Sequence, residues 1–172
     1  MIQIDALPAF SDNYIWLLQD TAKRRCAVVD PGDAAPVQQF LAQAQLTLHA
    51  IWITHHHHDH IGGLPALHAQ WPDCPVYGPA GVSGVSVPVM EGSRLPALGL
   101  DCRVYEVPGH TANHLAFHCG QHLFCGDTLF AAGCGRVFDG SIDSLHASLQ
   151  RLAALPAQTL CYPAHEYTLA NL

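Results

Sequence analysis

The sequence THHHHDH, at residues 54–60, holds five of the thirteen histidines of the chain together with one aspartate. It overlaps the end of LHAIWIT, at 48–54, whose apolar run predicts a buried strand. Groups carried at a strand end are held in place by a rigid sheet. The internal position and the following Asp-His argue against a loose histidine tract. The pattern to explain is therefore HxHxDH.

Alternate side chains of an extended chain share a face. If the chain stays extended beyond residue 54, His55 and His57 point one way, with Asp59 as a further candidate on that face. The expected spacers on the opposite face are His56 and His58. His60 is expected to begin the next helix and to turn inward beside Asp59.

Three more titratable residues follow predicted strands, among glycines and prolines. They are His110 in PGHT, Asp127 in CGDTLF and His165 in YPAHEY. With the first stretch they make five histidines and two aspartates, a set that suits two divalent metal ions. We interpret these residues as one site because strand-end loops commonly carry binding groups.

The ligand set divides between the two ions. One ion would have three neutral imidazoles, those of His55, His57 and His110. The other would have one carboxylate and two imidazoles, those of Asp59, His60 and His165. Asp127 has two oxygens and can bridge the ions. Ions about 3.5 to 4 Å apart can share a hydroxide at neutral pH, so Asp59 and Asp127 with this hydroxide are the predicted catalytic groups.

The composition predicts one globular domain over residues 1–172, since 49% of residues are hydrophobic and 12% are charged. The net charge of −7 argues against a nucleic-acid partner. We found neither a leader peptide nor a membrane span, which predicts a cytoplasmic protein that does not bind membranes. The seven cysteines are odd in number and never spaced as CxxC, so we expect them to be reduced.

The order of predicted elements favours a two-sheet core with helices on both outer faces. Strands are predicted at 2–7, 13–18, 25–30, 48–54, 101–108, 114–119, 122–127 and 159–163. Helices are predicted at 33–45, 61–71 and 144–155. A doubly wound parallel sheet is the alternative, but the opening run of closely spaced strands counts against it.

The motifs THHHHDHIGG, PGHT, GDTLF and PAHEYT, in this order and spacing, resemble the metallo-β-lactamase superfamily. Within it the chain resembles glyoxalase II, the hydroxyacylglutathione hydrolases, through DNYIWLL, DTLFAAGCGRVFDG and HEYTLANL. The resemblance implies an α/β fold, an αββα sandwich of two mixed β-sheets. It also implies hydrolysis of S-D-lactoylglutathione to D-lactate and glutathione, with the metal partition given above.

The resemblance further implies glutathione contacts from Arg136 and Tyr167, with Phe138 where the family often has tyrosine. Arg136 is the only Lys or Arg between 104 and 150, which suits a carboxylate partner. Such proteins usually continue into a C-terminal helical domain, which we expect this chain to lack because the sequence ends at Leu172.

We expect two zinc ions per chain, with iron or manganese as alternatives because imidazole and carboxylate ligands suit all three. The expected partner is a small glutathione thioester, and the expected state is a monomer. Two alternatives remain open. One is a mononuclear iron persulfide dioxygenase of the same fold, and the other is a shortened or engineered scaffold with altered hydrolysis, for example of β-lactams.

Overall fold

The computed structural model describes residues 2–172, and its strands form two larger sheets and one hairpin. The first sheet contains, in spatial order, β1 (Ile2–Ala9), β2 (Asn13–Asp20), β3 (Arg25–Val29), β4 (Thr47–Trp52), β5 (Val76–Gly78) and β6 (Val87–Pro88). The second contains β7 (Arg94–Ala97), β8 (Leu100–Glu106), β9 (Leu115–Cys119), β10 (His122–Gly126) and β13 (Leu160–Pro163), with β13 beside β10. The hairpin pairs β11 (Leu129–Phe130) with β12 (Gly133–Cys134).

Five α-helices and one short 3₁₀ turn complete the described chain. They are α1 (Ala34–Ala44), α2 (His58–Ile61), α3 (Leu64–Gln70), α4 (Ile142–Ala153), α5 (Thr168–Asn171) and the turn Thr21–Lys23. Asp33 is the N-cap of α1, and its carboxylate accepts a hydrogen bond of 2.9 Å from the backbone N–H of Ala35. None of the helices within residues 2–172 is long and apolar enough to cross a membrane.

The two sheets pack face to face around Trp52. Its ring lies 5.6 Å from Phe117 and 6.2 Å from Phe124 of the second sheet. The preceding residue, Ile51, belongs to a different apolar cluster on the outer face of the first sheet, as the alternation of side chains along a strand requires. That cluster includes Val37 of α1, and Leu152 of α4 packs on the outer face of the second sheet.

The predicted αββα arrangement is therefore confirmed, and both sheets are mixed. The first three strands pair antiparallel, whereas β3 with β4 and β10 with β13 pair parallel. Sequence patterns did not indicate the β11–β12 hairpin or α5. Both are too short to show a hydrophobic period.

The expectation that all cysteines are reduced is wrong for one pair, because Cys102 and Cys119 form a disulfide. These residues face each other across the antiparallel pair β8 and β9. Strand register brings them together, and spacing along the sequence does not reveal that register. Cys26, Cys74, Cys125, Cys134 and Cys161 are free.

Candidate metal centre

The structure brings all seven predicted ligands together at one edge of the two sheets. The segment that contains His55 and His57 follows β4, and His110 lies in the loop after β8. Asp127 directly follows β10, and His165 follows β13. Because β10 and β13 run parallel, their carboxyl ends place these two side chains at the same edge.

The three imidazoles of the first predicted cluster face one another. His57 Nδ1 lies 3.0 Å from His55 Nε2 and 3.1 Å from His110 Nε2. Nitrogens bound about 2.0–2.1 Å from one ion are separated by roughly 3.0 to 3.5 Å. The spacing of this cluster, His55–His57–His110, therefore suits one divalent ion.

The second predicted cluster is built around one carboxylate oxygen. Asp59 Oδ2 lies 3.3 Å from His60 Nε2 and 3.3 Å from His165 Nε2. His60 and His165 are buried, whereas the Asp59 side chain is 40% exposed. This spacing also suits one ion.

The carboxylate of Asp127 lies between the two clusters. Its Oδ2 is 3.4 Å from His110 Nε2 and 3.4 Å from His165 Nε2, and its Oδ1 is 3.5 Å from His60 Nε2. Asp127 Oδ1 and His60 Nε2 are buried and make no hydrogen bond. A buried polar atom without a partner is costly, and coordination to a cation would satisfy both atoms. The residues present therefore fit divalent metal ions.

Four of the five histidines use their other ring nitrogen to contact a fixed oxygen acceptor. The pairs are His55 with Thr54 Oγ1 (3.0 Å), His60 with Asp30 Oδ2 (3.0 Å), His110 with the Arg136 carbonyl oxygen (2.7 Å) and His165 with Asp12 Oδ1 (2.7 Å). In each pair the Nδ1–H is the donor, which leaves the lone pair of Nε2 directed into the centre. Such partners orient metal-binding histidines and fix their tautomers.

Asp30 is a supporting residue that the sequence analysis missed. It is buried, and its carboxylate accepts hydrogen bonds from the Thr54 backbone N–H (2.8 Å), from Thr54 Oγ1 (2.7 Å) and from His60. It follows β3 and precedes Pro31 and Gly32. The strand-end rule that identified the other candidates applies to Asp30 as well.

His114 is a second missed residue. Its Nε2 accepts a hydrogen bond of 3.2 Å from the Asp127 backbone N–H, and its ring stacks 4.7 Å from that of His55. Burial lowers the pKa of His114 to about 3. His114 is therefore neutral at physiological pH and serves as an acceptor behind the centre.

The expected extended conformation through Asp59 is wrong, because helix α2 begins at His58. The backbone N–H of His60 already donates to the His57 carbonyl oxygen at 3.0 Å. An aspartate in the first turn is favourable there because it faces the positive end of the helix dipole. His56 and His58 are exposed, as expected of spacers.

A close backbone approach fixes where α2 lies. A Cβ on Gly32 would fall 1.8 Å from the Asp59 carbonyl oxygen. Only glycine permits this contact between the loop after β3 and the helix that carries Asp59 and His60.

The carboxylates around the centre raise the pKa of two of its histidines. Burial lowers the pKa of His165, but hydrogen bonds to Asp127 and Asp59 outweigh it and raise that pKa to about 10. Burial opposes the charge on His60 too, yet Asp30 and Asp127 raise its pKa well above the usual value. A metal-bound imidazole is neutral, so a divalent cation would compete with a proton for the Nε2 of each of these histidines.

The three predicted substrate residues surround the mouth of the centre. The Arg136 guanidinium lies 4.5 Å from the centroid of the Phe138 ring, and that ring lies 4.8 Å from His57. The ring of Tyr167 stacks on that of His165, with the ring centroids 4.9 Å apart. Tyr167 also contacts Phe130, a residue that the sequence did not indicate. These side chains line a cavity of about 260 Å³ above the ligands.

Comparison with known proteins agrees with this geometry. The sequence model of the metallo-beta-lactamase superfamily matches residues 10–88 and 104–165. The hydroxyacylglutathione hydrolase of Pseudomonas entomophila (strain L48) is 58% identical over 180 residues, covering 100% of this chain and 69% of that protein. The chain belongs to the hydroxyacylglutathione hydrolases of the metallo-beta-lactamase superfamily. Another member, from Pseudomonas aeruginosa (strain LESB58), is 55% identical over 178 residues, again covering 100% of this chain and 69% of its own.

Solved structures of other proteins have the same fold as this member of the hydroxyacylglutathione hydrolases. ETHE1 from Myxococcus xanthus has a TM-score of 0.84 and 32% identity, covering 97% of this chain and 76% of its own. TTHA1623, solved in a di-iron-bound form, has a TM-score of 0.78 and 28% identity, covering 95% of this chain and 92% of its own. The family and the two clusters together indicate divalent metal binding.

Proposed function

We propose that this chain hydrolyses the thioester bond of S-D-lactoylglutathione and related 2-hydroxyacylglutathiones, releasing the hydroxy acid and glutathione. The observation that carries the proposal is the pair of adjoining three-ligand clusters with Asp127 between them. Its substrate class is supported by the relatives at 55–58% identity, which are named hydroxyacylglutathione hydrolase.

We infer two ions per chain, because each cluster offers three ligand atoms and Asp127 reaches both. Zinc is the proposed metal, with iron and manganese as alternatives that the same ligands accept. When bound, the ions would lower the pKa of a shared water and polarise the thioester carbonyl.

Side chains of the protein would position both the metal ligands and the substrate. Asp127 would hold the two ligand sets at a fixed separation, and Asp59 would complete the second set. Arg136 would attract a carboxylate of glutathione. Phe138 and Tyr167 would form apolar walls on either side of the thioester. The departing thiolate, with a reference pKa near 8.5, needs little help from a general acid. The thiolate can therefore leave without a dedicated proton donor.

We take the chain to act on this small molecule as a monomer in the cytoplasm, without a nucleic acid or a membrane. The net charge of −7 supports the absence of a nucleic-acid partner.

The test is to follow thiol release from S-D-lactoylglutathione by zinc-loaded protein, with metal content measured on the same sample. We expect turnover that a chelator abolishes and that zinc restores. Two zinc ions without any turnover, even at high substrate concentration, would contradict the proposal. One iron per chain with oxygen consumption on glutathione persulfide would instead favour the dioxygenase alternative.

A further inference from the structure

The turn between β1 and β2 contacts the candidate metal centre through two side chains. We call residues 10–13 the hairpin tip. Asp12 Oδ1 accepts a hydrogen bond of 2.7 Å from His165 Nδ1, and Asn13 Nδ2 donates one of 2.9 Å to Asp59 Oδ2. Both contacted residues belong to the second cluster, Asp59–His60–His165.

The backbone fixes the hairpin tip against the segment that carries His165. The backbone N–H of Glu166 donates to the Asp12 carbonyl oxygen at 2.8 Å, and that of Tyr14 donates to the Ala164 carbonyl oxygen at 2.8 Å. Asn13 and His165 also form an isolated antiparallel bridge. The tip is therefore held in a fixed position relative to the second cluster.

The first cluster is supported from elsewhere. His55 donates to Thr54, and His110 donates to the backbone carbonyl of Arg136. Within residues 2–172, no side-chain hydrogen bond joins His55, His57 or His110 to the hairpin tip. By side-chain hydrogen bonds among the described residues, the hairpin tip therefore contacts the second cluster and not the first.

Asn13 has a specific task at Asp59. The Asp59 side chain is 40% exposed, so water competes for its carboxylate. The same oxygen that faces His60 and His165 accepts the hydrogen bond from Asn13, whose side chain is buried. Without this donor the carboxylate is free to rotate toward solvent, away from the two imidazoles.

We propose that Asp12 and Asn13 are positioning residues that set the affinity of the second ion while leaving the first ion unaffected. The proposal rests on the two-ion function proposed above. Neither Asp12 nor Asn13 is a predicted metal ligand. Each would act on the second ion through the ligand that it contacts. Removing hydrogen-bond partners of metal ligands typically lowers metal affinity about 10- to 100-fold.

The experiment measures the two zinc affinities by competition with a chromophoric chelator in wild-type protein and in variants. His57→Ala and His165→Ala identify which affinity belongs to which cluster. Asp12→Ala and Asn13→Ala are each expected to weaken the second affinity about 10- to 100-fold and to leave the first within about twofold. Asp12→Asn keeps an acceptor oxygen toward His165 and should lose less than Asp12→Ala.

Two controls separate positioning from general damage. Gln3→Ala changes an exposed residue far along the same hairpin and should leave both affinities unchanged. Thermal unfolding of chelator-treated variants shows whether the fold is intact, and cobalt absorption spectra report the geometry of each site. Equal weakening of both affinities, or of neither, overturns the role of the hairpin tip while the two-ion centre stands. Wild-type protein that binds fewer than two ions overturns both proposals.

Discussion

The metal side and the substrate side of the cavity are held by different kinds of contact. On the metal side, buried His60 donates to buried Asp30, and most other ligands have a hydrogen-bond partner of their own. On the substrate side, Phe138 is 54% exposed, and Arg136 lies over its ring without any side-chain hydrogen bond among the described residues. Hydrogen bonds fix the ligands, whereas exposed ring contacts leave the substrate wall free to adjust. We therefore expect changes on the metal side to reduce metal content and kcat, and changes on the substrate side to raise KM.

The largest effect is expected for Asp127→Asn, which neutralises the one carboxylate between the two clusters. We expect zinc affinity to fall by at least about 100-fold, with turnover lost in parallel, because outer partners alone are worth 10- to 100-fold. Equilibrium dialysis followed by elemental analysis measures the loss. Asp73→Asn alters an exposed aspartate and is the matched control. Full metal content in Asp127→Asn would show that this carboxylate does not bridge.

A smaller loss of zinc affinity is expected for Asp30→Asn. Asp30 contacts none of the predicted substrate residues. Because Asp30 accepts from His60 and from Thr54, we expect zinc affinity to fall about 10- to 100-fold. Asp33→Ala is the control, since Asp33 caps α1 three residues away. It should cost about 1 kcal/mol of unfolding free energy without changing metal content. If the two variants lose zinc equally, the supporting role of Asp30 is wrong.

On the substrate side, Arg136→Ala should raise KM for S-D-lactoylglutathione at least about tenfold, since a charge-assisted hydrogen bond is worth roughly 1.5–3 kcal/mol. Metal content and kcat should change little, because His110 contacts only the backbone carbonyl of Arg136. Steady-state kinetics with metal analysis separates the two effects. Arg94→Ala, on an exposed strand position, is the control. Loss of zinc from Arg136→Ala would show that the metal side and the substrate side of the cavity are not held independently.

The smallest effect is expected for His56, and it contrasts with a large effect at His57 in the same histidine run. His56→Ala should leave zinc content nearly unchanged, because His56 is exposed and lies outside both clusters. His57→Ala should lose the first ion, because His57 Nδ1 faces both other imidazoles. Zinc stoichiometry of the two variants makes the comparison. Equal losses would show that the assignment of faces in this segment is wrong.

The strand-end pattern predicted all seven proposed ligands, and it also fits the overlooked Asp30. The other missed groups depend on strand register or on distant loops. HxHxDH and three strand-end motifs were enough to name seven residues that the structure brings together. His114 directly precedes β9 with no motif to mark it, and it reaches Asp127 because β9 pairs with β10. The Cys102–Cys119 pair likewise depends on the register of β8 and β9. Local patterns carry no information about such pairings.

The pairing of β13 with β10 has a consequence for the order in which the centre assembles. The ligands of the first cluster all lie within residues 55–110, whereas the second cluster needs His165, whose partner Asp12 is 153 positions earlier. Closing so long a loop costs chain entropy that is recovered only when the last strand docks. As the chain emerges during synthesis, the three imidazoles of the first cluster precede the groups that support His110, which are Asp127 and the Arg136 carbonyl, and all of these precede His165. The second cluster would therefore be the last part of the centre to gain its full ligand set, when β13 pairs with β10.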